Sequence, residues 1–345
     1  MDLTALERQE RRIERLKKQG VSRTSILVHD ECKPAFNGIK SYMLDPIKGK
    51  ALLALLAKIK LNHKPINVGQ IRQLSPFRYP GGKTWLVPQV RDWIGTLKFQ
   101  PSVLVEPFAG GAVAGLTMAA EGLVKRVVLC ELDDDIAAVW KAIFSGKDAD
   151  IRWLRNRILN FRVTLKNVRG ILDSSPITIR ERAFRTIIKN RMQRGGIMAS
   201  GAGLLKAGEA GRGLKSRWYP ITIANRIKTL RDLNHSVRFR HKDGFEIVRN
   251  FAKDPKACFF IDPPYTGAGK RLYTHNDIDH EQLFKMMSKA KGSVMFTYDD
   301  TSQMRKLALR HKFKICSVQM KNTHHKIIRE LLIFKPSSAK VAKLS

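Results

Sequence analysis

Two short apolar runs that each stop on a carboxylate constrain the fold of this chain more than any other feature. Residues 102–105 lead into Glu106-Pro107, and residues 127–130 lead into Glu131. Helical patterns follow each run, at 113–121 and 136–144. A strand–loop–helix–strand–helix series implies a parallel sheet with helices against it. The pattern returns later in the chain. Residues 258–261 and 293–297 read as strands, 281–290 and 301–311 as helices, and 313–318 and 330–334 as closing strands. The expected class is α/β, a Rossmann-like sheet interrupted in its middle.

The interruption, residues 151–242, has a different character. It carries helical stretches at 151–168, 179–191 and 221–233, and a Gly-rich stretch from 195 to 213. It holds 22 basic and 4 acidic residues, a net of +18 within a whole-chain charge of +34. A surplus of that size repels itself, so a polyanionic partner is expected, nucleic acid before an anionic membrane surface. The apolar stretch 51–59 is short and contains Lys58, well below the ~20 residues of a spanning helix. Residues 1–20 are charged throughout, with no apolar signal region. Residues 2–19 and 51–60 read as helices; the 1–75 segment is open between a DNA-touching arm, a partner-binding extension and a solvated helix.

Cys32, Cys130, Cys258 and Cys316 lie far apart with no CxxC, which argues against zinc and against a disulfide framework and points to a reducing cytoplasm. The histidines show no HxxxH spacing, and no metal is expected. Trp85, Trp93 and Trp140 sit in helical apolar patterns and are expected in the core.

Three segments carry chemistry. Phe77-Arg78-Tyr79-Pro80-Gly81-Gly82-Lys83-Thr84 ends like a phosphate-binding loop. Such a loop needs a glycine five positions before the Gly-Lys pair, and Phe77 stands there. What survives is a Gly-rich turn bringing backbone and Lys83 close to a ligand. In the second segment, residues 103–113, a strand runs into Gly110-Gly111 and then a helix. Glycines let backbone approach a ligand at the carboxyl end of a strand, where open α/β sheets bind cofactors. GxGxxG is absent, which disfavours a nicotinamide dinucleotide. Glu131 ends the next strand, a place where carboxylates accept hydrogen bonds from ribose hydroxyls. The third segment is Phe259-Phe260-Ile261-Asp262-Pro263-Pro264-Tyr265. Two prolines remove two backbone donors and stiffen the turn. With Asp262 as acceptor and Tyr265 as a flat face, it suits a planar base with an exocyclic amino group. The other reading is a rigid strand-end turn capped by Asp262.

Taken in order, FRYPGGK at 77–83, EPFAGGAV at 106–113, ELDDDI at 131–136, Lys242-Asp243-Gly244-Phe245, IDPPY at 261–265 and SVMFTYDDT at 293–301 make the chain resemble the Dam-like DNA adenine-N6 methyltransferases over residues 75–335. The resemblance implies an S-adenosylmethionine-dependent methyltransferase sheet in two parts, 76–150 and 241–336. Between them lies a basic, mainly helical target-recognition insertion at 151–240. An N-terminal extension, 1–75, and a tail, 337–345, complete the chain. Tyr79 and Lys83 would line the methionine side of the cofactor, Phe108, Ala109 and Gly110 would pack against it, Glu131 would take its ribose, and Asp243 and Phe245 would bound its adenine. Asp262, Pro263 and Tyr265 would hold the target adenine, with Lys83 beside them and Asp262 bordering both ligands.

The implied mechanism is direct transfer. Hydrogen bonds from the N6 amine to the Asp262 carboxylate and the Pro263 carbonyl favour a pyramidal nitrogen whose lone pair faces the sulfonium methyl. The base must first leave the duplex. In the insertion, Arg182, Arg185, Lys189, Arg191 and Arg194 before the Gly-rich stretch, and Arg212, Lys215 and Arg217 after it, are expected to touch DNA, with the stretch between them as a loop that orders there. The chain has FAGG where many relatives have Gly-x-Gly, and Glu131 where Asp is more usual. Asp262 before Pro-Pro-Tyr favours adenine over cytosine-N4, whose enzymes typically carry Ser there. A base in RNA and a non-catalytic nucleic-acid-binding relative stand as the other readings. The expectation is a cytoplasmic monomer on double-stranded DNA, free of metal and membrane; the recognition sequence stays open between a defined site and the relaxed specificity that dominant phosphate contacts would give.

Overall fold

The computed structural model describes residues 71–78, 82–199, 201–208, 211–265, 277–321 and 327–335, together with Ile39. The expectations for 2–19, 51–60, Tyr79 and the tail lie outside the described residues. Residues Pro65–Ser345 form one compact unit.

Strands β1 (Val103–Glu106), β2 (Val127–Glu131), β4 (Ala257–Ile261) and β5 (Ser293–Asp299) are continuous apolar runs buried along nearly their whole length. Sequences of that kind suit strands covered on both faces. They pair in parallel, β2-β1-β4-β5. At one edge β3 (Val237–His241) joins β2 in parallel. At the other, β7 (Ile327–Phe334) runs antiparallel to β5 and to the outer strand β6 (Lys314–Lys321), giving the order β3-β2-β1-β4-β5-β7-β6. Chain order reverses at β1, so the crevice beyond the carboxyl ends of β1 and β4 is where such a sheet takes ligands.

Alternation along the strands divides the interior. Leu104, Val127 and Leu129 enter one core; Val103, Val105, Val128 and Cys130 enter the other. Helices α1 (Val87–Gly95), α2 (Val113–Ala120) and α3 (Asp134–Phe144) cover the first face. Trp93 and Trp140 are fully buried there, and Trp85 packs partly buried against them.

The basic segment extends this same core. It comprises α4 (Asp148–Leu159), α5 (Leu165–Leu172), α6 (Ile179–Met192) and α7 (Pro220–Asp232). The stretch expected as one helix over 151–168 is two, because Thr164 takes an extended conformation and caps α5 by accepting from the Asn167 N–H. A capping box, Thr178 with Glu181, starts α6. Its Ala183, Phe184, Ile187 and Ile188 are buried among the residues of α3.

Helices α8 (Gly244–Phe251), α9 (His280–Lys289) and α10 (Ser302–Arg310) cover the second face. The sheet resumes at Val237, ahead of the expected boundary at 240/241. In β3, Val237 and Phe239 point inward while Arg238 and Arg240 are exposed, an edge-strand alternation that reads as part of the basic segment.

Candidate active site

The carboxyl ends of β1, β2 and β3 build one cleft. After β1, the turn through Pro107 and Phe108 reaches Gly110 at φ 45° and Ala112 at φ 52°, two left-handed positions in a row of three that allow a sharp entry into α2. Glu106, 3% exposed, has Oε2 held by the Gly115 N–H at 2.9 Å. Burial pushes its carboxyl up to about 8, so it is protonated at neutral pH. The Gly115 position admits no side chain: a Cβ would lie 2.5 Å from Glu106 Oε2.

At the end of β2, Glu131 ties two turns together. Its Oε2 accepts from the Gly110 N–H at 2.9 Å, and its Oε1 from the Leu132 and Asp133 N–H groups at 2.9 and 3.0 Å. Burial raises its pKa, opposed by these three amides. A carboxylate offers about four acceptor positions, so one remains, on Oε2. Trp140 Nε1 donates to the Gly110 carbonyl at 3.0 Å and fixes the same turn from below. At the end of β3, Asp243 caps α8 by accepting from the Phe245 N–H at 2.6 Å. The Phe108 and Phe245 rings meet edge to face at 6.5 Å. Gly244 lets them do so, since a Cβ there would lie 2.6 Å from the Pro107 carbonyl oxygen and 2.9 Å from Phe108 Cε1.

The resulting cleft is open to solvent and encloses a cavity of about 140 Å³. Lys83, Phe108, Ala109, Gly110, Glu131, Asp243, Phe245 and Asp262 all line it. Glu106 and Gly244, which lie in the sequence motifs without an expected site role, line it too, as does Met198, which no motif contains.

Where β4 ends, a compact polar cluster adjoins the cleft. Asp262 Oδ1 lies 3.1 Å from Lys83 Nζ, 2.5 Å from Thr297 Oγ1 and 3.1 Å from the Tyr265 hydroxyl. Three donors converge on one oxygen, and no described residue donates to Oδ2. Lys83 comes from a short turn, Lys83–Leu86, and is 6% exposed. Thr297 belongs to β5 and is fully buried. The cluster also holds Glu330 of β7, 5% exposed, with Oε2 3.8 Å from Lys83 Nζ and 3.2 Å from the Tyr265 hydroxyl. Because β7 is antiparallel, its first half lies at the carboxyl ends of the parallel strands, and Glu330 pairs with Asp299. Burial pushes the Glu330 carboxyl up to about 7, although Lys83 pulls the other way. Burial first, then Asp262 and Glu330, drive the Tyr265 hydroxyl well above its ordinary range.

Tyr265 differs in placement from a side chain waiting to stack on a base. Lys83 Nζ sits 4.9 Å from its ring centroid, and the Tyr298 ring lies 5.8 Å away, tilted by 30°. Its hydroxyl is turned inward to the carboxylates. Pro263 is buried directly after Asp262.

The basic residues divide by use. Arg182 and Arg185 approach Asp135 Oδ1 at 3.5 and 3.2 Å, and Lys189 approaches its Oδ2 at 3.5 Å. These pairs join α6 to the first turn of α3, so the three side chains are engaged within the protein. Arg191 is the clearest correction. It is 6% exposed, donates to the Pro76 carbonyl, and is pushed down to about 10 by burial beside Arg226 and Arg78. That places it inside the fold and not on a DNA-facing surface. Arg194, Arg212 and Lys215 are exposed, and Arg217 is half-buried. The Gly-rich stretch forms short turns, Arg194–Gly196 and Gly213–Arg217, with a bridge from Gln193 to Leu204. A second cleft on the β3 edge is lined by Lys141, Lys147, Arg180, Arg240 and Lys242 among others, none of them expected from the sequence to touch DNA.

Among the described residues, no group of three His, Cys, Asp or Glu is placed to hold a metal, and no helix is long and apolar enough to cross a membrane. Cys130 and Cys258 are free buried thiols, each pushed up to about 12 by burial.

No curated protein sequence matches the chain significantly. Among solved structures it is similar to a candidate RNA methyltransferase of Pyrococcus horikoshii, at 12% identity and TM-score 0.35 over 84% of this chain and 98% of that one. It is also similar to the rRNA methyltransferase aviRa of Streptomyces viridochromogenes, at 10% identity and TM-score 0.33 over 81% and 89%. A third is a precorrin-6y C5,15-methyltransferase of Geobacter metallireducens, at 10% identity and TM-score 0.32 over 72% and 88%. The sequence model of the D12 class N6 adenine-specific DNA methyltransferases matches residues 79–324, a span that includes Lys83, the cleft residues and Asp262. The chain therefore belongs to the D12 class of N6 adenine-specific DNA methyltransferases.

Proposed function

We propose that the protein takes an adenine flipped out of double-stranded DNA against Asp262 and methylates its N6 amine, with little demand on the flanking sequence. S-adenosylmethionine, the cofactor of the class, supplies an electrophilic methyl group when bound. The cleft fits it: the glycine-bearing turn after β1 presents bare backbone, Gly244 gives way to the Phe108 and Phe245 rings, and carboxylates end β2 and β3. Glu131 would hold the ribose through its remaining acceptor position, Phe108 and Phe245 would enclose the adenine ring, and Lys83 would border the reacting end. Tyr79 lies outside the described residues.

The single observation that carries the reading is the saturation of Asp262 Oδ1 by Lys83, Thr297 and Tyr265, which leaves Oδ2 for an incoming amine. An acceptor fixed on one oxygen and open on the other draws an N–H bond toward itself, localises the nitrogen lone pair, and does so without reorganising during reaction. The Pro263 carbonyl is the second proposed acceptor. Extrusion of the base is required because the N6 edge of a paired adenine is engaged within the duplex.

Exposed Arg194, Arg212 and Lys215, set in a chain with 64 Lys+Arg against 30 Asp+Glu, support binding led by phosphate contacts. Contacts of that kind carry no sequence information, hence the relaxed specificity. The affinity for duplex should fall steeply with salt, by roughly a thousandfold between about 50 and 200 mM if six or more phosphates are neutralised. A titration showing equal affinity at both salts contradicts phosphate-led binding.

The function is tested by incubating the protein with labelled S-adenosylmethionine and duplexes of differing sequence, then digesting to nucleosides. Label should appear in N6-methyldeoxyadenosine from many sequence contexts. Label confined to cytosine, or appearing only with RNA, defeats the reading. A duplex with 2-aminopurine at the target position should brighten on binding; unchanged fluorescence under saturating protein counts against extrusion.

A further inference from the structure

Glu330 is a buried carboxylate at the far end of the chain from the Asp-Pro-Pro-Tyr turn, yet the sheet delivers it to the same cluster. Among the described residues, the charges there are few and close. One ammonium, Lys83, lies 3.1 Å from Asp262 and 3.8 Å from Glu330. The Tyr265 hydroxyl, with a single hydrogen, lies 3.1 Å from Asp262 and 3.2 Å from Glu330. Asp299, half-buried, stands opposite Glu330 in the β5–β7 register. Thr297 donates from β5, and from β6 the residue across from Glu330 is the uncharged Val318.

A Lys83–Asp262 pair alone is neutral. Its carboxylate is largely spent on the adjacent ammonium, and a neutral pair does little for a positive charge appearing nearby. Methyl transfer creates such a charge: the N6 lone pair forms the new C–N bond as the sulfonium C–S bond breaks and leaves a neutral thioether, and the nitrogen is cationic until it sheds a proton to water. A second carboxylate on the same ammonium adds one negative charge beside that nitrogen.

We propose that Glu330 is a positioning residue for methyl transfer: by sharing Lys83 and the Tyr265 hydroxyl, its carboxylate leaves Asp262 with unneutralised negative charge for the N6 amine. The proposal rests on the reading that Asp262 receives that amine. Deep in the protein, a charge a few ångströms from the reacting atom acts strongly, in contrast to the same charge on the surface. Ionisation of Glu330 falls near neutral pH, since burial holds its carboxyl at about 7. Full transfer rate is therefore reached only on the alkaline side.

The test is the single-turnover methylation rate of an adenine-containing duplex, at saturating S-adenosylmethionine, for the full chain and for Glu330→Gln, which mimics the neutral carboxyl. The wild-type rate should rise at least about tenfold from about pH 5.5 to about pH 8.5. Glu330→Gln should show a flat profile near the wild-type acid-side rate, with unchanged cofactor affinity, and Glu330→Asp should restore the rise. A second readout needs no turnover. A carboxyl raised in the folded state gives stability that is present below its unfolded value of 4.5 and lost as pH climbs through about 7. Glu330→Gln should therefore melt higher than wild type on the alkaline side, and the difference should vanish in acid. A wild-type rate that does not change with pH overturns the proposal whether or not the variant folds, as does a Glu330→Gln profile that still rises. A wild-type protein that methylates no adenine at all removes the underlying reading, and this proposal with it; methylation with a flat profile removes this proposal alone.

Discussion

Asp262→Ala is expected to lower the methylation rate by at least about a thousandfold while leaving duplex binding intact, since removal of one preorganised electrostatic partner alone is worth about 10² to 10³. The loss exceeds a single hydrogen bond for a structural reason. Without the carboxylate, Lys83 turns wholly to Glu330, Thr297 and Tyr265 lose their shared acceptor, and the amine meets no oxygen on that side. Asp262→Asn should fare little better. Its carbonyl would be taken by the same three donors, which leaves an NH2 group to face the substrate amine, donor against donor. Rates from rapid quench, read beside gel-shift affinity and cofactor titration, separate the chemistry from binding. Near-normal turnover in either variant would remove Asp262 from the role of holding the reacting amine.

Asn190→Ala is expected to destabilise the protein by about 3–4 kcal/mol and to weaken cofactor binding about tenfold, because it leaves three backbone groups without their partner. Asn190, on α6, is fully buried. Its Oδ1 accepts from the Arg78 N–H at 2.8 Å, and its Nδ2 donates to the Arg78 and Gly196 carbonyls, each at 3.0 Å. One side chain thus clamps the approach to the Lys83 turn onto the basic segment as a neighbouring strand would. Gly196, at φ 74°, makes the contact possible: a Cβ there would lie 2.1 Å from the Arg78 carbonyl oxygen. Gly196→Ala should therefore reproduce the defect. For a domain of this size the loss corresponds to a fall of about 10 °C in Tm. Melting at the wild-type temperature in both variants would show that the clamp is dispensable.

The elements legible in the sequence are those whose signal is local. The buried runs of β1, β2, β4 and β5 announce themselves because a strand covered on both faces must be apolar at every position. Glycines, prolines and strand-terminal carboxylates have few other reasons to sit together, and Lys83, Phe108, Gly110, Glu131, Asp243 and Asp262 line one cleft. Edge strand β3 escaped because half its residues face solvent, where Arg238 and Arg240 look like the basic segment preceding them.

The rest depended on partners distant in the chain. Arg182, Arg185 and Lys189 read as a charged face for DNA until Asp135 is found against them, and Arg191 until the Pro76 carbonyl is. A charge count registers the surplus and is blind to which charges fold inward. Thr297, Asn190 and Glu330 carry no motif at all; each is an ordinary residue on a strand or helix. The amino-acid sequence by itself determined the α/β class, the Gly-rich turns and strand-end carboxylates of the cleft, and the Asp262 corner, since short-range spacing specifies strand ends and tight turns. Only the tertiary structure decided what surrounds that corner, because the antiparallel turn-back of β7 brings Glu330 within 4 Å of Lys83, and no local pattern encodes an approach between residues so far apart in the chain.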